Sequence, residues 1–396
     1  MAPAMISFAG TIVFLGIAIN MASVFVGLRR ALLLSPIRQR VEAQVAIILP
    51  ITGGASLPEV LQRLDAQTLR TFRLIVAVES EGDPAHAWTL AAMGSVSFPI
   101  EIVVAGHATH QAQKCRNQQA ALKRLRAGDE IIVLMDGDIR PSAEWLHALV
   151  SPVAEGHFGL VTGNRWQQVT AHRLGAHLVA TIDRALTINP RLDFAAARVV
   201  WGGSLAMSAV KAAAIDLDTS LENTLSDDLS IAERAESCGV RIVTRASLLI
   251  ASPTRLSLAA AWRFARRQYQ ICRIYRPYLW WLAALTINMR LAAWIFALLL
   301  FNDDGRFGWA LLALAGLSMA KQFLVGDIGR RLGLPDPASV RAVQLALGLL
   351  QPIPDLFHST VILAAARTRF VRWGHVTYEV KGPYDIRVRE RRAFTV

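Results

Sequence analysis

The feature that most constrains this chain is the apolar run from Ile6 to Leu28, which carries no charged residue. As a helix it reaches across about 30 Å of hydrocarbon. Arg29, Arg30, Arg38 and Arg40 come directly after it. A cleavable signal carries its positive charge before the apolar core and a small-residue cleavage site after it; this run has neither. It reads as an uncleaved anchor over residues 1–30, and the positive-inside bias places the polar region beyond it in the cytoplasm.

Composition supports a chain partly dissolved in lipid. Of the 396 residues, 53% are hydrophobic and 18% charged, and mean hydropathy is +0.36. The net charge of +12 calls for a partner, and its arginines cluster beside apolar runs, as an anionic bilayer surface requires. No nucleic-acid motif is present, and a nucleic-acid binder would not need the apolar tail. Cys115, Cys238 and Cys272 are far apart, with no CxxC or Cys/His cluster, which argues against structural zinc or a disulfide framework.

Between residues 41 and 254 the pattern changes. Short apolar runs at Val45–Leu49, Leu74–Val78, Ile102–Val104, Ile131–Met135 and Leu160–Thr162 alternate with helical stretches at Leu57–Gln67, Pro84–Met93, Gln111–Arg126 and Ala143–Val150. Such alternation predicts a Rossmann-like, mostly parallel α/β sheet with crossover helices. Residues 255–277 read as an amphipathic interfacial helix. Residues 278–366 hold two spanning helices, Tyr278–Phe301 and Phe307–Val325, interrupted by Arg290 and Lys321. A third apolar stretch, Val343–Ala366, is broken by Gln351-Pro-Ile-Pro-Asp355 and reads as a broken or re-entrant hairpin. Residues 367–396 form a basic tail, expected on the cytoplasmic side.

The sharpest chemical signal is Ile131-Ile-Val-Leu-Met-Asp136-Gly-Asp138. In open α/β sheets, ligands bind beyond the carboxyl ends of the strands. Two carboxylates there can hold a hard divalent cation that also takes diphosphate oxygens; the plain alternative is an Asp-Gly turn. Asp227-Asp228 opens a second helical run that closes before Gly239. Acids at a helix start complement its dipole, yet one of them can face a cleft and take a proton from an acceptor hydroxyl. Trp262 to Pro277 mixes basic and aromatic residues, and Arg267, Gln268 and Arg273 suit a donor diphosphate.

In this order, anchor, DxD strand, acidic pair, (Q/R)xxRW-like segment and C-terminal membrane helices, the chain resembles family 2-type glycosyltransferases. Among them it is most similar to the ceramide glucosyltransferase-like lipid enzymes of family 21. The resemblance implies a GT-A fold, a UDP-sugar donor, Mg2+ or Mn2+, and single-step inversion. It puts Asp136 and Asp138 on the metal and diphosphate and makes Asp228, beside Asp227, the base. Lys114 and Asn117 fall in the family's Asn-x-Lys-x-x-Asn-like segment. Gly202-Gly-Ser-Leu-Ala-Met207 matches the acceptor-side strand, and Arg369 to Tyr378 a tryptophan–glycine–tyrosine tail. Two positions depart from the pattern. Ser80 stands where the first acidic motif has aspartate, with Glu79 beside it on the nucleotide side, and Tyr269 replaces the tryptophan of (Q/R)xxRW.

The expected reaction is hexose transfer, of glucose type, from a UDP-sugar to a membrane lipid hydroxyl, ceramide-like or other. The expected location is an integral protein of a bacterial inner or plasma membrane with the catalytic domain in the cytoplasm. A processive polysaccharide synthase is the enzymatic rival, although three or so membrane segments are few for a polymer channel. A non-catalytic lipid-binding or scaffold protein derived from such an enzyme is the rival from another class.

Overall fold

The computed structural model describes residues 3–34, 40–53, 56–188 and 200–394; Arg38 of the basic cluster lies outside them. The chain divides into two compact units. One comprises Ser35–Arg165, Arg191–Pro253 and Arg369–Val396, the other Met1–Leu34, Trp166–Pro190 and Thr254–Thr368.

The first unit is built on seven strands: β1 (Val45–Pro50), β2 (Phe72–Val78), β3 (Ile100–Val104), β4 (Ile131–Met135), β5 (Leu160–Val169), β6 (Ser204–Ser208) and β7 (Ile242–Thr254). Their order in the sheet is β3-β2-β1-β4-β6-β5-β7. The pairs β2–β3, β1–β2 and β1–β4 are parallel. Parallel neighbours need a crossover, and the helices Leu57–Asp65, Pro84–Ala92 and Gln113–Leu122 fall between these strands. Every residue of β1, β2 and β4 is buried, as continuous apolar strands require when both sheet faces are covered. This is the mostly parallel α/β sheet expected of a GT-A-type domain.

Sequence periodicity did not reveal β6, and β6 sets the site. It runs antiparallel to both β4 and β5. Met135 therefore pairs with Ser204, so the start of β6 lies beside the carboxyl end of β4. The last residues of this unit form a second, antiparallel sheet of β8 (Phe370–Trp373), β9 (Val376–Gly382) and β10 (Asp385–Arg391), in the order β10-β9-β8. Gly374, at φ 59°, supplies the left-handed position in the tight turn from Trp373 to Val376.

The second unit is helical. Its helices Met5–Leu33, Pro277–Leu300 and Gly305–Arg331 are long and apolar enough to cross a membrane. Ala338–Leu349 and Pro352–Arg367 are also apolar and meet at a 78° bend. The bend falls where Leu350 leaves helical geometry, at φ −97° and ψ 42°, two residues ahead of Pro352, whose ring and missing N–H suit the first turn of a new helix. Phe14, Phe25, Trp281 and Trp309 are each at least 66% exposed, a surface that suits hydrocarbon and not water. Gly16 lets helices approach closely, since a Cβ there would stand 2.3 Å from Ala293 Cβ.

Several polar groups inside this unit are paired. Arg290 makes a two-pronged contact with Asp355, with Nε 3.1 Å from Oδ2, and both residues are buried. Asn20 Nδ2 donates to Gln351 Oε1 at 3.1 Å. Arg184 grips Asp336 through both terminal nitrogens, at 2.5 and 2.9 Å, and lies over the Trp166 ring. Removing one partner of a buried pair leaves an uncompensated charge and costs about 3–5 kcal/mol, whereas replacing both is often near neutral. Asp355→Leu should accordingly lower the unfolding temperature in detergent, and adding Arg290→Met should restore most of the loss. A single variant as stable as the parent would show that the pair is not holding the bent helices.

Candidate active site

The site grows from the carboxyl end of β4. Asp136 leaves the strand with its N–H on Gly203 O at 3.2 Å, so the residue just ahead of β6 steers the first carboxylate. Asp138, two residues on, keeps one side open to solvent and the other against protein. The protein packed around it and the Asp136 charge hold its carboxyl above the usual range, against the pull of Arg165 and Lys114.

The helix Gln113–Leu122 faces these carboxylates. Lys114 Nζ lies 2.6 Å from Asp136 Oδ1 and 2.9 Å from Asp227 Oδ2. Burial works against the ammonium, but Asp136, Asp227 and Asp228 together outweigh it and keep Lys114 firmly protonated. Gln118, one helical turn further along the same face, donates from Nε2 to Asp227 Oδ2 at 2.8 Å. Gln118 is fully buried, and its Oε1 has no hydrogen-bond partner among the described residues.

Asp227 and Asp228 open the helix Asp227–Ser237 but differ in role. Asp227 is 2% exposed and is spent on Lys114 and Gln118. Asp228 is half-buried. Its Oδ1 accepts from Ser226 Oγ and from Leu229 N, the latter at 2.8 Å. Both contacts fall on one oxygen, and Oδ2 has no hydrogen-bond partner among the described residues. Burial, joined by the Asp227 charge and opposed by Lys114 and Ser226, raises the Asp228 carboxyl to about 6.

Gly202 and Gly203 are glycine for reasons of space. A Cβ on Gly202 would stand 2.7 Å from Asp227 Oδ2 and 3.2 Å from Lys114 Nζ, and one on Gly203 would be 2.8 Å from Asp136 Oδ2. The backbone approaches the carboxylates so closely that only glycine leaves them room.

The structure brings Lys114, Asp136, Asp227 and Asp228 together. Asn117 is buried in support of its helix, donating to Ala77 O at 3.0 Å and accepting from Gln113 Nε2 at 2.8 Å. Glu79, at the end of β2, is 1% exposed, with His375 Nε2 3.0 Å from Oε1 and Arg391 donating to Oε2 at 2.5 Å. Arg267, Gln268 and Arg273 stand on the helix Leu258–Tyr275 of the helical unit. There Arg267 lies over the Phe264 ring, and Arg273 donates to Thr368 O at 3.3 Å. Sequence reasoning missed Gln118, Ser226, His375 and Arg391. Only Gln118 had a usable signal, its spacing of four from Lys114.

Among the described residues no group of three or more His, Cys, Asp and Glu side chains is placed to hold a metal. A hard cation that takes one or two carboxylates and completes its shell with phosphate oxygens and water needs no such group. Gly203 leaves Asp136 Oδ2 uncrowded, and Asp138 is open, so this donor pair fits that use.

The acidic cluster lies beyond the carboxyl end of a central strand, the place where open α/β sheets bind ligands. The model of glycosyl transferase family 21 matches residues 11–384, and the chain belongs to that family. It is a glycosyltransferase. Among solved structures, residues 1–349 of S. aureus TarS in complex with UDP-GlcNAc share 12% identity, with 89% of this chain and 100% of that chain covered and a TM-score of 0.36. The longer S. aureus TarS structure shares 10% identity, covering 89% of this chain at a TM-score of 0.35, and this chain spans 59% of its length. GalNAc-T7 with UDP, GalNAc and Mn2+ shares 9%, covering 60% and 53%, at 0.39. At such scores these likenesses carry no argument, and the assignment rests on the family. No curated protein matches the chain.

Gly202→Ala tests the close approach. The added methyl must push Asp227 or Lys114 aside, so transfer should fall at least tenfold while the unfolding temperature moves by only a few degrees. Full activity in this variant would show that the carboxylates tolerate displacement.

Proposed function

We propose that this glycosyltransferase moves a hexose, of glucose type, from a UDP-sugar to a hydroxyl of a membrane lipid, ceramide-like or other, with inversion at the anomeric carbon. The observation that carries the reading is Asp228. It is a half-buried carboxylate with one oxygen anchored by Ser226 and Leu229 and the other open, beside a lysine-bridged acidic cluster. In a single-step displacement the acceptor hydroxyl needs a base on the face away from the leaving group. Asp228 Oδ2 takes that proton, and Ser226 keeps the carboxylate oriented.

Asp136 and Asp138 would hold a divalent cation, Mg2+ or Mn2+, which when bound neutralises charge on the nucleotide diphosphate. Lys114 adds a fixed positive charge on the same side, and Asp227 holds Lys114 in place. The three apolar helices support a membrane location, with the sheet-containing unit on the cytoplasmic side and a lipid as the accessible acceptor.

Radiolabelled UDP-sugar incubated with membranes bearing the protein tests the whole reading. An organic-soluble, low-mass product is expected; a long polymer would make the chain a processive synthase, and no incorporation across a donor panel would favour a non-catalytic role. Asp228→Asn should reduce transfer by at least a hundredfold and leave UDP binding intact. Near-full turnover there would remove Asp228 from the base role. The base works only when ionised, and its pKa is raised to about 6. kcat/KM should therefore be level above that pH and fall about tenfold per pH unit below it; a profile flat down to about pH 4.5 would contradict the assignment.

A further inference from the structure

The C-terminal sheet β8–β10 is tied to the loop after β3 and to the helix that follows it. Tyr378 of β9 is 2% exposed, and its Oη accepts from Gln113 N at 3.0 Å. That N–H belongs to the first turn of the helix Gln113–Leu122, where backbone donors have no partner inside the helix. The preceding residue, Ala112, provides no side-chain cap, so the tyrosine oxygen does the capping from outside. Burial pushes the phenol up to about 12, against the pull of the Gln113 bond and of Arg391, so it stays neutral at working pH.

Arg391, the last residue of β10, reaches the same place. It donates to Glu79 Oε2 at 2.5 Å, to Gln113 Oε1 at 2.9 Å and to Ala108 O at 3.3 Å. Gln113 Oε1 also accepts from Ala108 N at 2.9 Å. Val388 N donates to Thr109 O at 2.8 Å, which ties β10 to the same loop. One guanidinium thus joins the end of β2, the loop after β3 and the start of the helix. Next to Gln113 in the chain is Lys114, the cation between Asp136 and Asp227.

We propose that Tyr378 and Arg391 are positioning residues for the transfer reaction, setting the first turn of the helix Gln113–Leu122 and through it the ammonium of Lys114. The proposal rests on the reading of Lys114 as a donor-side charge. Geometry favours Arg391 over a lysine at this position, because a single ammonium is a point charge and the guanidinium spreads its donors over three acceptors. It also gives Glu79 a partner within the chain.

The test uses the full chain in detergent, with Tyr378→Phe and Arg391→Lys as variants and exposed Lys381→Ala as a control. Tyr378→Phe keeps the ring and deletes only the capping oxygen, so the fold should survive. In both variants the KM for UDP-sugar should rise about three- to tenfold, the range set by one lost hydrogen bond. Acceptor KM should stay within about twofold of the parent, and Lys381→Ala should match it throughout. Hydrogen exchange should quicken in peptides covering residues 108–117 and stay unchanged over β4. Lower unfolding temperatures with donor KM and local exchange unchanged would overturn the proposal and leave the sheet a purely structural element. If the parent protein binds no UDP-sugar, the functional reading fails on its own, and the exchange measurement still decides whether Tyr378 and Arg391 set the helix start.

Discussion

The acidic site depends on one largely buried cation. Lys114 sits between Asp136 and Asp227, with Asp228 close enough to be felt, and among the described residues no other side chain bonds both Asp136 and Asp227. Carboxylates gathered at a strand end and a helix start repel each other, and burial makes each charge harder to bear. A single ammonium answers both problems because it is compact and bonds two oxygens at once. It also links three parts of the chain: the end of β4, the helix Gln113–Leu122 and the start of the helix Asp227–Ser237.

That linkage explains features that look unrelated in the linear chain. The antiparallel β6 is needed because it carries Gly202 and Gly203 to the end of β4, where anything larger would strike the carboxylates. Gln118 completes the shell of Asp227 from one turn along the helix. Asp227 and Asp228 divide the labour of a helix start. One is spent on the lysine; the other keeps an open oxygen and a raised affinity for protons, the property a base requires.

The helical unit obeys a different rule. Its outer faces carry large apolar side chains, and three polar pairs lie inside: Arg290 with Asp355, Asn20 with Gln351 and Arg184 with Asp336. Unpaired, such groups would be costly away from water. The bend before Pro352 places Asp355 beside Arg290, so the proline pair and the carboxylate that interrupt the apolar pattern serve one arrangement.

Much of this was legible in the residues themselves. The uncharged run Ile6–Leu28 dictates a long apolar helix, continuous strands such as Val45–Leu49 dictate a buried parallel sheet, and Asp136 and Asp138 close one of them, at the strand end where open α/β sheets bind ligands. These are local properties, set by hydrophobic period and by strand ends. The pairing of Lys114 with Asp227, more than a hundred residues apart, is not local, nor is the antiparallel course of β6, nor the return of Tyr378 and Arg391 to the start of the Lys114 helix. No periodicity encodes which distant side chains meet. Those contacts exist only once the sheet has closed and buried charges must find partners within reach, so tertiary structure alone decided them.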